Sequence, residues 1–246
     1  MDGADESGWS AVAAGWSELW GATTRPVRLA LIAAAGIGAG TRVLDVGCGS
    51  GEFLVELGEH GAEAWGIDPA PGMVALAGGR ARLGGWEGIP FPDDSFDVVT
   101  AVNALQFADD LEDALAEAAR VLAPGGLVAV ANWAEAARNQ LTVLEEAVAI
   151  ATETDVLPDD ELRVEGGLEE LLVSSGFTVV SAGIVPVPWE APSGDVLVRG
   201  VLLGEDDETM RELGPAVLAA AEPFRSGEGY RVENAFRYAV GRAPAS

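Results

Sequence analysis

The run Val43-Leu44-Asp45-Val46-Gly47-Cys48-Gly49-Ser50-Gly51 constrains this chain more than any other stretch of its sequence. Thr41 to Val46 reads as a short β-branched and apolar strand, the kind buried inside a parallel sheet covered by helices. Three glycines at alternate positions follow. They let the backbone turn sharply and come close to a ligand with no Cβ in the way. Glu52 to His60 then reads as a helix whose first N–H groups lack intrahelical partners and point back into the turn. In open α/β sheets, ligands sit at such turns, outside the carboxyl ends of the strands.

The alternation of strands and helices extends on both sides. Arg25 to Ala35 reads as a helix with Pro26 in its first turn. Ala62 to Ile67 is a strand, Pro71 to Ala77 a helix, Phe96 to Val102 a strand, Leu111 to Leu122 a helix and Leu127 to Ala131 a strand. The segment Gly78 to Gly88 has a poor strand signal. Beyond Trp133 the pattern changes. Gln140 to Thr154, Gly167 to Ser175, Val196 to Leu203 and Thr209 to Ala221 read as helices. Phe177 to Val187 and Tyr230 to Val240 read as strands. This spacing predicts one α/β domain with a mostly parallel, doubly wound sheet, helices on both faces and a helical lid.

Composition removes several classes of function. Hydrophobic residues make up 49% of the 246, enough for a buried core. The longest apolar run, Val27 to Ile37, is about half of what a bilayer needs and contains Arg28. Met1 to Ser7 is acidic and polar, unlike a signal peptide, so the expected location is cytoplasmic. Cys48 is the single cysteine, which excludes an internal disulfide and a multi-thiolate metal site; no metal is expected. The 14 basic residues are all arginine against 40 acids, for a net charge of -26. That charge opposes contact with a phosphate backbone or an anionic membrane. The expected partner is a small molecule, with the chain a monomer or homodimer. The acidity suits cationic ligands by long-range steering, and also simple solubility.

The glycine turn reads G-x-G-x-G, with Asp45 two residues before Gly47. Phosphate-cradling turns read G-x-G-x-x-G or end in Gly-Lys-Ser/Thr, so a nicotinamide dehydrogenase is disfavoured. The run closely resembles motif I of class I S-adenosylmethionine-dependent methyltransferases of the small-molecule type. Gly66-Ile67-Asp68-Pro69, at the end of the second strand, is similar to the family's ribose-binding segment. Met73, in Pro71-Gly72-Met73, is similar to the residue that packs on the adenine. Ile89-Pro90-Phe91-Pro92-Asp93-Asp94-Ser95-Phe96-Asp97 and Leu122-Ala123-Pro124-Gly125-Gly126 resemble the lead-ins to the fourth and fifth strands. The similar segments cover roughly residues 27–131.

The resemblance implies a seven-stranded Rossmann-like sheet in a single domain spanning 1–246. Residues 1–35 would be lid helices, 36–133 the cofactor-binding core, and 134–246 the acceptor-pocket insertions and last strands. It implies S-adenosylmethionine as cofactor, S-adenosylhomocysteine as product, and methyl transfer to a small-molecule acceptor in secondary metabolism. Carried over residue by residue, the cofactor would meet Asp45, Gly47, Cys48, Gly49, Gly51, Asp68, Pro69, Met73 and Asn103. One position departs from the pattern. Where relatives carry the Asp that binds the adenine amine, this chain has Gly85, followed by Trp86 and Glu87. Trp86 could flank the adenine, Glu87 could supply the carboxylate, or cofactor binding could be weakened.

Methyl transfer from a sulfonium draws much of its rate from proximity and orientation, so a general base is optional. His60, the only histidine, closes a helix and is a capping residue by position. Asn103 and Gln106, after the fourth strand, are the candidates for orienting the reaction, though amides are poor bases. Trp16, Trp20, Gln106, Asn132 and Trp133 are the candidates for the acceptor pocket, and an aromatic face near a sulfonium gains cation–π attraction. Two other functions remain open: cyclisation, rearrangement or decarboxylation on the same fold, and ligand binding without catalysis.

Overall fold

The computed structural model describes residues 6–156 and 158–245. Residues 1–5 of the acidic start, for which no signal peptide is expected, lie outside them. The main sheet contains β1 (Arg42–Val46), β2 (Glu63–Asp68), β3 (Ala81–Leu83), β4 (Phe96–Val102), β5 (Leu122–Trp133), β6 (Thr178–Pro186) and β10 (Ala235–Arg242). Their order is β3-β2-β1-β4-β5-β10-β6. The pairs from β3 through β5 are parallel, while β10 runs antiparallel to both β5 and β6. The helices are α1 (Glu6–Leu19), α2 (Arg25–Ala34), α3 (Glu52–Glu59), α4 (Pro71–Ala77), α5 (Leu111–Val121), α6 (Leu141–Thr152), α7 (Gly167–Ser174), α8 (Gly194–Val201) and α9 (Asp207–Ala221).

The period of two along each strand sorts the core into two layers. Leu44, Val46 and Val99 pack with Leu115, Leu168 and Leu172 of α5 and α7. Val43 and Val98 face the other way, against Val27, Leu31, Phe53 and Leu57 of α2 and α3. Asp45 and Thr100 are paired in the β1–β4 register. By alternation they share the α2/α3 layer, a polar pair at the end of an apolar one.

Three differences from the sequence reading have local causes. The closing strand expected from Tyr230 to Val240 is two strands in two sheets. Buried Asn234 interrupts it, its Oδ1 accepting from Leu141 N at 3.0 Å. The first piece, β9 (Gly229–Val232), pairs with β7 (Trp189–Ala191) and β8 (Arg225–Ser226) in a small second sheet. The lid region therefore contains strands as well as helices. The poor strand signal around Gly78 to Gly88 corresponds to β3, three residues at the sheet edge with Arg82 and Leu83 exposed, where no alternation can show. β5 begins earlier than Leu127, because the Ala-Pro-Gly-Gly turn lies within the strand, beside a register shift against β4. No described helix is long and apolar enough to cross a membrane.

The end of α1 is tied into a cap built from α6, α8, α9 and the small second sheet. The Trp20 ring stacks on Trp189 at 4.2 Å, and its Nε1 donates to Gly200 O at 3.1 Å. Trp189 Nε1 in turn donates to Leu19 O. Earlier in the helix, Ser10 Oγ accepts from Gly72 N at the start of α4, and Ser17 Oγ donates to Glu52 at the start of α3. α1 thus bridges the two helices that follow β1 and β2.

Candidate functional site

Chain connections leave β1 toward β2 on one side, and β4 takes up the other. This is the topological switch point, where open α/β sheets hold ligands. A cavity of about 640 Å³ opens there, within the usual size of ligand sites. The glycine turn forms part of its wall. Gly47, at φ +70°, donates to Ile67 O at 2.8 Å, and a Cβ on it would collide with the Ala104 side chain. Gly49, at φ +53°, has nothing within 4 Å of where its Cβ would stand, and it lines the cavity. Gly51, at φ +91°, caps α3 and packs on Ala77, away from the cavity lining. Gly47 and Gly51 are required by the turn itself, and Gly49 leaves room for an occupant.

Two carboxylates end the strands at this wall. Asp68, the last residue of β2, accepts from Gly49 N and from Ala70 N, each at 2.9 Å. Burial raises its pKa, and those two amide bonds oppose the rise. Asp45 is more deeply buried, and Thr100 Oγ1 donates to its Oδ1 at 2.6 Å. Burial pushes the Asp45 pKa up to about 7, against the Thr100 bond and the positive charge of Arg28; Asp68 and Glu52 push the same way as burial. Burial also raises the Cys48 thiol, so Cys48 lines the cavity as a neutral group. Arg28 is buried, and its guanidinium makes a bidentate pair with Glu56 at 2.9 and 2.8 Å. Its Nη1 also donates to Gly21 O and Thr24 Oγ1.

On the far wall Asn103 holds φ +53°, rare for a residue with a side chain. Its N–H donates to Ala131 O at 2.7 Å, and its Oδ1 and carbonyl O accept from Gln106 Nε2. Gln106 is behind Asn103 rather than in the lining. Trp86 is buried and lines the cavity, its Nε1 donating to Ala104 O at 3.2 Å. Glu87 Oε2 lies 2.9 Å from where a Cβ on Gly85 would stand.

The cavity thus brings together Asp45, Gly47, Cys48, Gly49, Asp68 and Pro69, together with Met73, Trp86, Glu87 and Asn103, and Trp16 and Trp20 from α1. Gly51, Gln106, Asn132 and Trp133 are not among its lining residues. Asn132 is buried, and Trp133 packs on Phe236 at 4.3 Å. His60 caps α3, its Nδ1 2.8 Å from Glu56 O. Sequence reasoning missed Trp9, Arg28, Glu52 and Phe107, which also line the cavity. Trp9 carried a signal: with Trp16 it makes an i, i+7 pair, one face of one helix. Arg28 and Glu52 carried none, because long-range pairing put them there.

Residues 44–130 match the family model described as a methyltransferase domain. Over these residues the chain is similar to methyltransferase domains, and its seven-stranded sheet has the methyltransferase fold. Over 111 residues it is 37% identical to the demethylmenaquinone methyltransferase of Tropheryma whipplei, covering 42% of this chain and 46% of that protein. Over 134 residues it is 34% identical to the malonyl-[acyl-carrier protein] O-methyltransferase of Serratia marcescens, covering 52% of each. The chain therefore spans about half the length of the curated relatives it matches. A methyltransferase solved in complex with the Haloferax volcanii Trm112 activator superposes with a TM-score of 0.61 at 23% identity, covering 96% of this chain and 97% of that one. The family match lies at residues 44–130, and the structural likeness covers 96% of the chain.

Proposed function

We propose that this chain transfers the methyl group of S-adenosylmethionine to a small-molecule acceptor. One observation carries the reading. The open side of Gly49 and the backbone-fixed carboxylate of Asp68 border one cavity of about 640 Å³ at the switch point of a methyltransferase-type sheet. The residues present fit the cofactor. Asp68 would accept the ribose hydroxyls, and Met73 and Trp86 would flank the adenine. Asp45, with Gly47 and Gly49, would receive the methionine part and its ammonium. Glu87 would supply the adenine amine's carboxylate, because its Oε2 occupies the space that an acid at Gly85 would reach into.

Bound there, the cofactor supplies an electrophilic methyl group. The chain's own contribution is orientation and exclusion of water. Asn103, held by Gln106, presents an amide to the reacting region, and α1 covers the cleft with Trp16 and Trp20. The net charge of -26 supports a small-molecule partner over a nucleic acid or an anionic membrane. We place the reaction in the cytoplasm and in secondary metabolism, carried out by a monomer or homodimer. The test is transfer of labelled methyl from S-adenosylmethionine to a panel of small acceptors. Transfer that fails in Asp68→Ala supports the proposal. Tight cofactor binding with no transfer to any acceptor would instead favour other chemistry on the same fold.

A further inference from the structure

We infer that the acceptor is an amine, and that the cavity selects against carboxylate and phosphate acceptors; this rests on the methyl-transfer reading of the site. Three observations carry it. First, among the described lining residues Arg28 is the one cation, and four of its five N–H groups are already committed, two to Glu56 and one each to Gly21 O and Thr24 Oγ1. An anionic acceptor would find no free cation. Second, the remaining charges of the lining are carboxylates, and of these Glu52 and Asp109 are the ones the cofactor does not take up in the reading above. Third, part of the lining is aromatic, with rings set nearly at right angles. Trp9 meets Trp16 at 5.3 Å and 90°, and Phe107 at 5.8 Å and 80°. In each edge-to-face pair one ring face is taken by its neighbour, and an ammonium group would meet the faces that remain on the cavity side.

The chemistry of transfer agrees. A bound ammonium first loses a proton to water; the amine lone pair then forms the new N–C bond as the C–S bond breaks, and the electron pair of that bond stays on sulfur. Sulfur becomes neutral, nitrogen becomes positive, and the nitrogen then loses a proton to water. Positive charge moves from cofactor to acceptor and is never annihilated. Glu52, Asp109 and the aromatic lining would stabilise it where it arrives. With a carboxylate acceptor the two charges cancel, and the same acids would repel the acceptor before reaction.

The test uses three probes of similar shape: benzyltrimethylammonium, benzyl alcohol and phenylacetate. Each is titrated into the full chain with and without S-adenosylhomocysteine, followed by tryptophan fluorescence and calorimetry. The ammonium is expected to bind at least about tenfold more tightly than either other probe. Trp9→Leu should weaken the ammonium about tenfold while changing benzyl alcohol less than about twofold, and Trp9→Phe should recover most of the loss. Phe107→Leu, at an exposed position, gives the same reading if Trp9→Leu does not fold. Phenylacetate binding as tightly as the ammonium, or equal weakening of all three probes, would overturn the inference. Failure of S-adenosylhomocysteine to bind, with the ammonium preference intact, would instead sink the methyl-transfer reading and leave the cavity's preference standing.

Discussion

Replacing Asp45 by Asn should make the ligand-free protein more stable and the cofactor site worse. Asp45 is buried beside Thr100, with a pKa raised from its ordinary 3.8 to about 7, chiefly by burial. Between those values the folded chain holds a proton on Asp45 that the unfolded chain has released. Stability therefore falls as pH rises from about 4 to about 7, and the full cost is present above that. The gap corresponds to about 4 kcal/mol, a ceiling because local relaxation absorbs part of it. An Asn has the same shape, keeps an oxygen for the Thr100 hydroxyl and never charges. Urea unfolding of both proteins at pH 8 should show Asp45→Asn the more stable by up to about 4 kcal/mol, shrinking to about 2 kcal/mol or less at pH 5. Charged groups remote from Asp45 are common to both proteins and cancel in the difference, while the influence of Arg28, Asp68 and Glu52 is already part of the Asp45 shift. An Asn variant that is less stable at pH 8, or a difference that does not change with pH, would refute the reasoning. The same substitution removes the negative charge offered to the cofactor's ammonium and should weaken its binding about tenfold, the usual scale of a charge-assisted bond.

The glycines of the turn should separate by role. Gly47→Ala collides with Ala104 and should impair folding, whereas Gly49→Ala should fold, with about 1 kcal/mol lost to its positive φ, and bind the cofactor poorly. Circular dichroism with calorimetry separates the two. Removing one member of the buried Arg28–Glu56 pair should cost about 3–5 kcal/mol, and replacing both by apolar residues of similar volume should cost much less than the two single losses together. Trp20→Ala removes a stacked, buried ring that ties α1 to the cap and should cost about 3–5 kcal/mol. Its unfolding midpoint in denaturant checks this, and limited proteolysis should then cut first in α1.

The core of the fold was legible because it rests on local signals. β1 and its turn, α3, α4 and β4 are marked by near-continuous apolar strand runs, glycine spacing and Pro at a helix start. Asp45, Asp68 and Gly49 could be named because each stands at a fixed step from that turn. The cap was less legible because its strands are two to four residues long, too short for a period to appear. Asn234 hides a change of sheet inside what reads as one strand, since its reason is a hydrogen bond to Leu141, far away in sequence. Arg28 and Glu52 were missed on the same ground: pairing with Glu56 and Ser17 is a property of packing. Gln106 shows the reverse error of scale, one turn too deep to reach the cavity yet in contact with Asn103, which does.

The most direct measurement is calorimetric titration of the purified chain with S-adenosylmethionine and with S-adenosylhomocysteine. The account predicts micromolar binding of both, lost in Asp68→Ala while that variant stays folded. No detectable binding of either to a folded wild-type chain would contradict it and assign the cavity to another ligand.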